Sequence, residues 1–154
     1  MDTWSNSSAS SEDSLLAATM RYVDNPDSSP TGSSSSLSSS FKRRRTFAQR
    51  RKEAEDVRQL HPNRIPLIIE RYEDEKNLPP MERAKFLVPE NLGVAELVNI
   101  IRRRLQLNRN ETLFLLVNGN NVPGNTMTLG EVYKKDADDD GFLYILFASH
   151  EVFG

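Results

Sequence analysis

The sequence predicts an α+β fold in which a helix is packed on one face of a small sheet, behind a long polar tail. Three observations predict it. Short β-rich runs occur at 65–69, 85–88, 113–117 and 142–147, each bounded by proline, glycine or asparagine. Val94, Leu97, Val98, Ile101 and Leu105 recur at helical spacing between the second and third runs. Near Phe41 the composition changes from serine-rich to basic and then patterned.

Residues 1 to 40 contain fifteen serines and carry a charge of −4, from Asp2, Glu12, Asp13, Asp24 and Asp27 against Arg21. Such a segment cannot bury enough apolar surface to offset its ordering entropy, so a disordered tail is expected. The whole chain is −2, which leaves +2 on residues 41 to 154. Thr46 with Gln49 forms a capping-box pattern that opens a helix running to about Leu60, where His61 and Pro62 stop it. Ile65 to Ile69 and Lys85 to Val88 read as a hairpin pair with a long connection containing Pro79 and Pro80. After the turn at Asn91 to Gly93 comes the helix of the apolar stripe, then the strand Leu113 to Val117, broken by Asn118 and Gly119. Thr128 with Glu131 caps a short helix expected to end near Tyr133, and Asp138 to Gly141 turns the chain into a last strand, Phe142 to Phe147. A strand pair, a crossover helix and two more strands give the layering of a β-grasp.

The same text excludes several chemistries. There is no cysteine, so disulfides, thiolate metal sites and cysteine nucleophiles are absent. His61 and His150 are the only histidines and lie in no ligand-spaced cluster, so no metal site and no cofactor are expected. Asp136, Asp138, Asp140 and Gly141 match the opening of a calcium loop, but Phe147 stands where its bidentate glutamate is needed, so a turn is expected. No phosphate-binding glycine loop and no nucleophile–base arrangement marks an enzyme. The first residues lack the apolar run of a secretory signal, which favours a cytoplasmic start. The longest apolar run, Phe142 to Ala148, falls well short of the roughly 20 residues of a spanning helix. Basic runs at Lys42 to Arg45 and Arg102 to Arg104 read as solvated helix faces or as a nuclear, RNA or microtubule contact. Without interleaved aromatics, +2 is too weak for a dedicated nucleic-acid binder.

Across residues 41 to 154 six motifs follow one another in order: RRTFAQR at 44–50, HPNRIPLIIERY at 61–72, KFLVPE at 85–90, IIRRRLQL at 100–107, LFLLVNG at 113–119 and DGFLY at 140–144. Together they closely resemble the light-chain-3 branch of the autophagy ubiquitin-like modifiers. The resemblance implies a ubiquitin-like β-grasp, a four-stranded mixed sheet with a crossover helix and two additional N-terminal helical segments. It implies no catalytic activity, conjugation of the C-terminal Gly154 to phosphatidylethanolamine, and a place in the cytoplasm and on the autophagosome membrane. Partners implied are ubiquitin-like activating and conjugating enzymes, a deconjugating cysteine protease that reads Phe153 and Gly154, and cargo receptors carrying short aromatic-x-x-aliphatic motifs. The serine-rich tail is longer than the family's usual few residues. The sequence also stops at Gly154, so this form is expected to need no proteolytic priming of the reactive tail 149–154.

Short peptides dock by adding a strand to a sheet edge, with pockets at alternate positions. Lys85 to Val88 suits such an edge, with Lys85 placed where a charge discourages aggregation. Alternation sets Lys85 with Leu87 on one face and Phe86 with Val88 on the other. The resemblance implies an aromatic pocket among Glu53, Val57, Pro66, Ile68, Lys85, Leu87 and Phe142. It implies an aliphatic pocket among Phe86, Val88, Pro89, Leu97, Ile100 and Arg104. Leu97, Ile100 and Arg104 form a helical stripe offset from Val94, Val98, Ile101 and Leu105, which supports the second pocket independently. Taken singly, Ile68, Leu87, Val88 and Phe142 read as ordinary core. Arg44, Arg45, Arg83 and Lys85 are placed to meet acidic residues flanking a partner's motif. The competing reading is a non-conjugated adaptor that uses the same groove, with its basic helices on the cytoskeleton, microtubules included.

Overall fold

The computed structural model describes residues 40–81 and 84–149. The residue order gives helices α1 (Phe41–Arg44) and α2 (Phe47–Leu60), strands β1 (Arg64–Arg71) and β2 (Lys85–Pro89), and helix α3 (Val94–Arg104). Strand β3 (Phe114–Val117), helix α4 (Leu129–Asp136) and strand β4 (Leu143–Ala148) complete it. The strands form one sheet in the order β2-β1-β4-β3. β1 runs antiparallel to β2, with Leu67 opposite Phe86, and parallel to β4, with Leu67 opposite Leu143. β3 and β4 are antiparallel, with Leu115 opposite Phe147. The parallel pair at the centre follows from the crossover through α3, since parallel neighbours need a long connection.

Local chemistry sets most boundaries. Thr46 accepts from the Gln49 N–H while Gln49 returns the bond to the Thr46 N–H, and the same reciprocal box joins Thr128 and Glu131. α4 runs on to Asp136, three residues past the expected end, because no breaker follows Tyr133 and the Ala137 N–H still reaches the Tyr133 carbonyl. Asn118 and Gly119 adopt positive φ of 55° and 81°, the left-handed turn that ends β3. Asp138 to Gly141 is a turn: the Asp138 carboxylate accepts from the Asp140 N–H and from Lys42 Nζ, 2.8 Å away. Gly141, at φ 94°, passes so close to α2 that an added Cβ would lie 2.9 Å from the Ala54 Cβ.

Ile65 to Ile69 are all buried because both faces of the sheet are covered. On one face Leu67, Ile69, Phe86, Val88, Ile145 and Phe147 pack against Val94, Leu97 and Ile101 of α3 and Leu129 and Val132 of α4. On the other, Ile68, Phe142 and Tyr144 pack against Phe41 and Ala54 of the N-terminal helices. The buried face of α3 is wider than the expected stripe: Val94, Leu97, Ile101 and Leu105 are buried, Val98 packs half-buried against the same core, and Ile100, 4% exposed, joins it. Ser40, assigned to the tail, is described and caps α1 by accepting from the Arg43 N–H. The expectation of disorder for residues 1–39 lies outside the described residues.

Candidate functional site

β2 is an edge strand: among the described residues β1 is its only strand neighbour, so the outward row of its backbone groups faces no strand of the sheet. Its pleat distributes the side chains as alternation predicts, Phe86 and Val88 toward α3 and Lys85 and Leu87 toward the N-terminal helices. The edge therefore runs between two apolar regions built by different helices.

The residues expected for the aromatic pocket come from four parts of the fold, with Pro66 paired to Leu87 and Ile68 to Lys85 across the β1–β2 register. Pro66 and Ile68 come from β1, Lys85 and Leu87 from β2, Glu53 and Val57 from α2, and Phe142 precedes β4. All but Glu53 are buried, Lys85, Leu87 and Phe142 completely. Lys85 is thus not the exposed edge charge that its position in the strand suggests. Its ammonium lies beneath α2, hydrogen-bonded to Glu53 Oε2 and 5.9 Å from the centre of the Phe41 ring. An ammonium so placed requires a carboxylate close by, and Glu53 on the facing turn of α2 supplies it. Arg45 stands at the rim, 3.7 Å from Glu53 Oε1. That oxygen is buried and accepts no hydrogen bond from the described residues.

Phe41 closes the first region from the N-terminal side. Its ring meets Phe142 edge-on at 5.2 Å, an arrangement favoured by the ring quadrupoles. Its backbone N–H donates to Glu70 Oε2 at 2.9 Å. Burial pushes the Glu70 carboxyl above its ordinary value, and the Phe41 N–H and the charge of Arg44 offset part of that rise. Behind Phe41, Arg50 reaches Asp140 at 2.7 Å, and the Tyr144 hydroxyl donates to the same carboxylate at 2.5 Å. Burial and the hydrogen bond to Asp140 hold the Tyr144 hydroxyl well above the usual tyrosine range. These contacts fasten both N-terminal helices to the sheet.

The second region gathers Phe86, Val88, Leu97 and Ile100, all buried, with Pro89 and Arg104 half-buried at its mouth. The Arg104 guanidinium lies over the Phe86 ring at 5.7 Å. Of the cations expected to meet acidic flanks, Arg44 is exposed, Arg45 and Lys85 are engaged with Glu53, and Arg83 lies outside the described residues. Phe153 and Gly154 also lie outside them. The described chain ends at Ser149, whose N–H donates to the buried carboxylate of Glu75 at 2.6 Å.

Sequence reasoning did not single out Phe41, Glu70, Arg50, Tyr144 or Glu75. Phe41 with Glu70, Arg50 with Asp140 and Glu75 with Ser149 are pairs far apart along the chain, and no local spacing announces them; Tyr144 lies four residues from Asp140, but in a strand that spacing alone does not mark a contact. An aromatic at the border of the polar tail, just before a basic run, was the one signal available for Phe41.

Fold and site together define a ubiquitin-like domain with an edge strand between two apolar regions. Comparisons with known proteins narrow the class. The family described as autophagy protein Atg8, ubiquitin-like, matches residues 49–154. The chain is 48% identical over 115 residues to protein lgg-2 of Caenorhabditis elegans, covering 75% of this chain and 88% of the relative. It is 41% identical over 114 residues to microtubule-associated protein 1 light chain 3 gamma of Homo sapiens, covering 74% and 78%. The crystal structure of Trypanosoma brucei ATG8 superposes with a TM-score of 0.67 at 35% identity, covering 73% of this chain and 95% of that one. The chain belongs to the Atg8 family of autophagy ubiquitin-like modifiers, in its light-chain-3 branch.

Proposed function

We propose that the chain is joined through the carboxyl of Gly154 to phosphatidylethanolamine on autophagosomal membranes. There it recruits cargo receptors and autophagy factors by adding their aromatic-x-x-aliphatic segments to β2. In this reading the residues before Ser40, the cap of α1, are a tail, those from Ser40 on are the modifier, and 149–154 are its reactive end. The chain is the substrate of activating and conjugating enzymes and of a deconjugating cysteine protease, and contributes no catalytic group of its own. It is cytoplasmic until lipid is attached.

The observation that carries the docking half is an open edge strand whose two faces lead to separately built apolar regions. A peptide in extended form sends side chains i and i+3 to opposite faces of its strand, as two pockets flanking one edge require. The buried, unsatisfied Glu53 Oε1 favours tryptophan in the aromatic position, since the indole N–H is a donor only and would satisfy that oxygen. Entry requires the Glu53–Lys85 contact and Arg45 to shift, which is within the side-chain rearrangement common on binding. Arg44 and the unfastened Arg45 then face a partner's acidic flank, with Arg83 in the same role. Such exposed pairs tune encounter more than they anchor.

For the membrane half, no helix among the described residues is long and apolar enough to cross a bilayer. One acyl chain gives marginal attachment and two give stable attachment, so a diacyl lipid on Gly154 supplies what the fold does not. Glycine leaves its carbonyl open to attack by amine and thiolate. The test is flotation with phosphatidylethanolamine liposomes, ATP and matching activating and conjugating enzymes. The intact chain is expected to float and the Gly154-deleted chain to stay in solution with its peptide affinity unchanged. Equal flotation of the two would sink the modifier reading in favour of the non-conjugated adaptor.

A further inference from the structure

Glu75 belongs to neither pocket, yet it is a carboxylate 2% exposed in the connection between β1 and β2. Its two oxygens serve different segments. Oε2 accepts from the N–H groups of Asn77 and Leu78, both at 2.9 Å, and so shapes its own loop. Oε1 accepts from the Ser149 N–H at 2.6 Å, from the far end of the chain. Beside it the Tyr72 N–H donates to the Phe147 carbonyl at 2.9 Å. Ser149 lies one residue beyond the sheet: the last partner of β4 on β3 is Ala148 opposite Phe114, and on β1 it is Phe147 opposite Arg71. Its buried N–H has no strand to meet, and the Glu75 carboxylate takes the place of one. Burial pushes the Glu75 carboxyl up, but the donors of Ser149, Leu78 and Asn77 outweigh it and hold it below the ordinary carboxylate value.

We propose that Glu75 is a positioning residue for conjugation: it fixes the point from which the reactive residues 150–154 depart. The inference rests on the reading that Gly154 is conjugated. In that reaction the Gly154 carboxylate attacks the α-phosphorus of ATP, releasing pyrophosphate. A cysteine thiolate of the activating enzyme then attacks the acyl-adenylate, releasing AMP and leaving a thioester. Both steps need the carboxyl group threaded into an enzyme while the folded domain docks outside it. Five residues span at most roughly 17 Å, so the anchor's place bounds what Gly154 reaches. Misplacing a reacting group by about 1 Å can cost on the order of a hundredfold in rate.

Glu75→Gln separates the two duties of the side chain. The amide has one acceptor oxygen, and satisfying the two donors at Asn77 and Leu78 turns its NH2 toward the Ser149 N–H, donor against donor. The loop stays shaped while the anchor is lost. In the full chain, with matching activating enzyme and ATP, the kcat for Gly154 thioester formation is expected to fall about tenfold, equal to a barrier change of about 1.4 kcal/mol. KM is expected to stay within about twofold, a change of about 0.4 kcal/mol, because Glu75 is buried and offers an activating enzyme no surface of its own. Hydrogen exchange at the Ser149 amide should quicken, and Glu75→Asp, which keeps the charge, should recover part of the rate. Leu78→Ala serves as the control, since it removes only a side chain that packs the same loop on the core and keeps both the Leu78 N–H and the Glu75 carboxylate. If Glu75→Gln matches the parent in kcat, or loses no more rate than a Leu78→Ala variant of equal stability, Glu75 is not a positioning residue. A parent chain that forms no Gly154-dependent thioester overturns this inference and the conjugation reading together. A competent parent with an equally competent Glu75→Gln overturns this inference alone.

Discussion

Replacing Glu53 by glutamine removes one charge from the contact that closes the aromatic region. Lys85 is completely buried and Glu53 is 13% exposed at its side chain, so the ammonium is shielded from water while the carboxylate keeps partial access to it. Breaking a buried pair by removing one partner costs about 3 to 5 kcal/mol. Partial solvation of Glu53 and the survival of an amide oxygen near Lys85 bring Glu53→Gln below that range, to about 2 to 3 kcal/mol. Lys85→Met removes the charge that needed compensation and fills similar volume. With Glu53→Gln it is expected to give a double variant within about 1 kcal/mol of the parent, since isosteric apolar replacements of buried pairs are near neutral. Urea unfolding of the four proteins yields the coupling energy, expected at about 1.5 to 3 kcal/mol. A coupling within about 0.5 kcal/mol, the scatter of independent sites, would show that the two groups do not depend on each other. The account of a closed, ion-paired pocket would then be wrong.

Phe41→Ala deletes a ring packed on Phe142 and Tyr144. Because α1 is a four-residue helix that can undock locally, we expect a loss of about 2 kcal/mol rather than the ~3 to 5 of a central-core truncation. Faster hydrogen exchange confined to the N-terminal helices checks it, and global destabilisation at the larger value contradicts it. Arg104→Ala, at the mouth of the aliphatic region, should lower affinity for a short aromatic-x-x-aliphatic peptide by up to about fivefold without unfolding the domain. Leu87→Ala should weaken it more, at a stability cost of about 2 to 5 kcal/mol that must be measured alongside. A folded Arg104→Ala that binds as tightly as the parent would move the groove to another surface. Stability should also fall on acidification. Burial raises the carboxyls of Glu75 and Asp138, but N–H donors and Lys42 outweigh it, so both titrate below their ordinary values of 4.5 and 3.8 in the folded state. Their contributions are present above those values and lost as pH falls through the folded ones. Glu70, raised by burial, has the opposite sign and offsets part of the loss, since its contribution is present below 4.5 and disappears as pH rises through its folded value. Urea midpoints from pH 7 to pH 3 should show a shallower decline for Glu75→Gln, and an identical slope would refute the assignment.

Which segments become strand or helix was legible from the residues alone, because period, caps and turn residues act within a few positions. Thr46 with Gln49 and Thr128 with Glu131 close their boxes as read, and Asn118–Gly119 ends β3. The edge character of Lys85 to Val88 and its two-faced alternation were legible for the same reason. The two pockets were not. They took their membership from the ordered motifs of a family, since nothing local says that Glu53 on one helix lies over Lys85 on a strand thirty-two positions away. Burial is likewise a property of what packs from above. A lysine in an edge strand reads as exposed until α2 and Phe41 are laid across it, and the burial of Ile100 beside Leu97 shows only once the sheet is placed beneath α3. The Glu75–Ser149 bond spans 74 positions and joins a polar loop to the exit of the last strand. Hydrophobic period and capping chemistry are short-ranged and therefore written in neighbouring residues, whereas charge pairing and chain-end anchoring depend on distances that exist only once the sheet has closed.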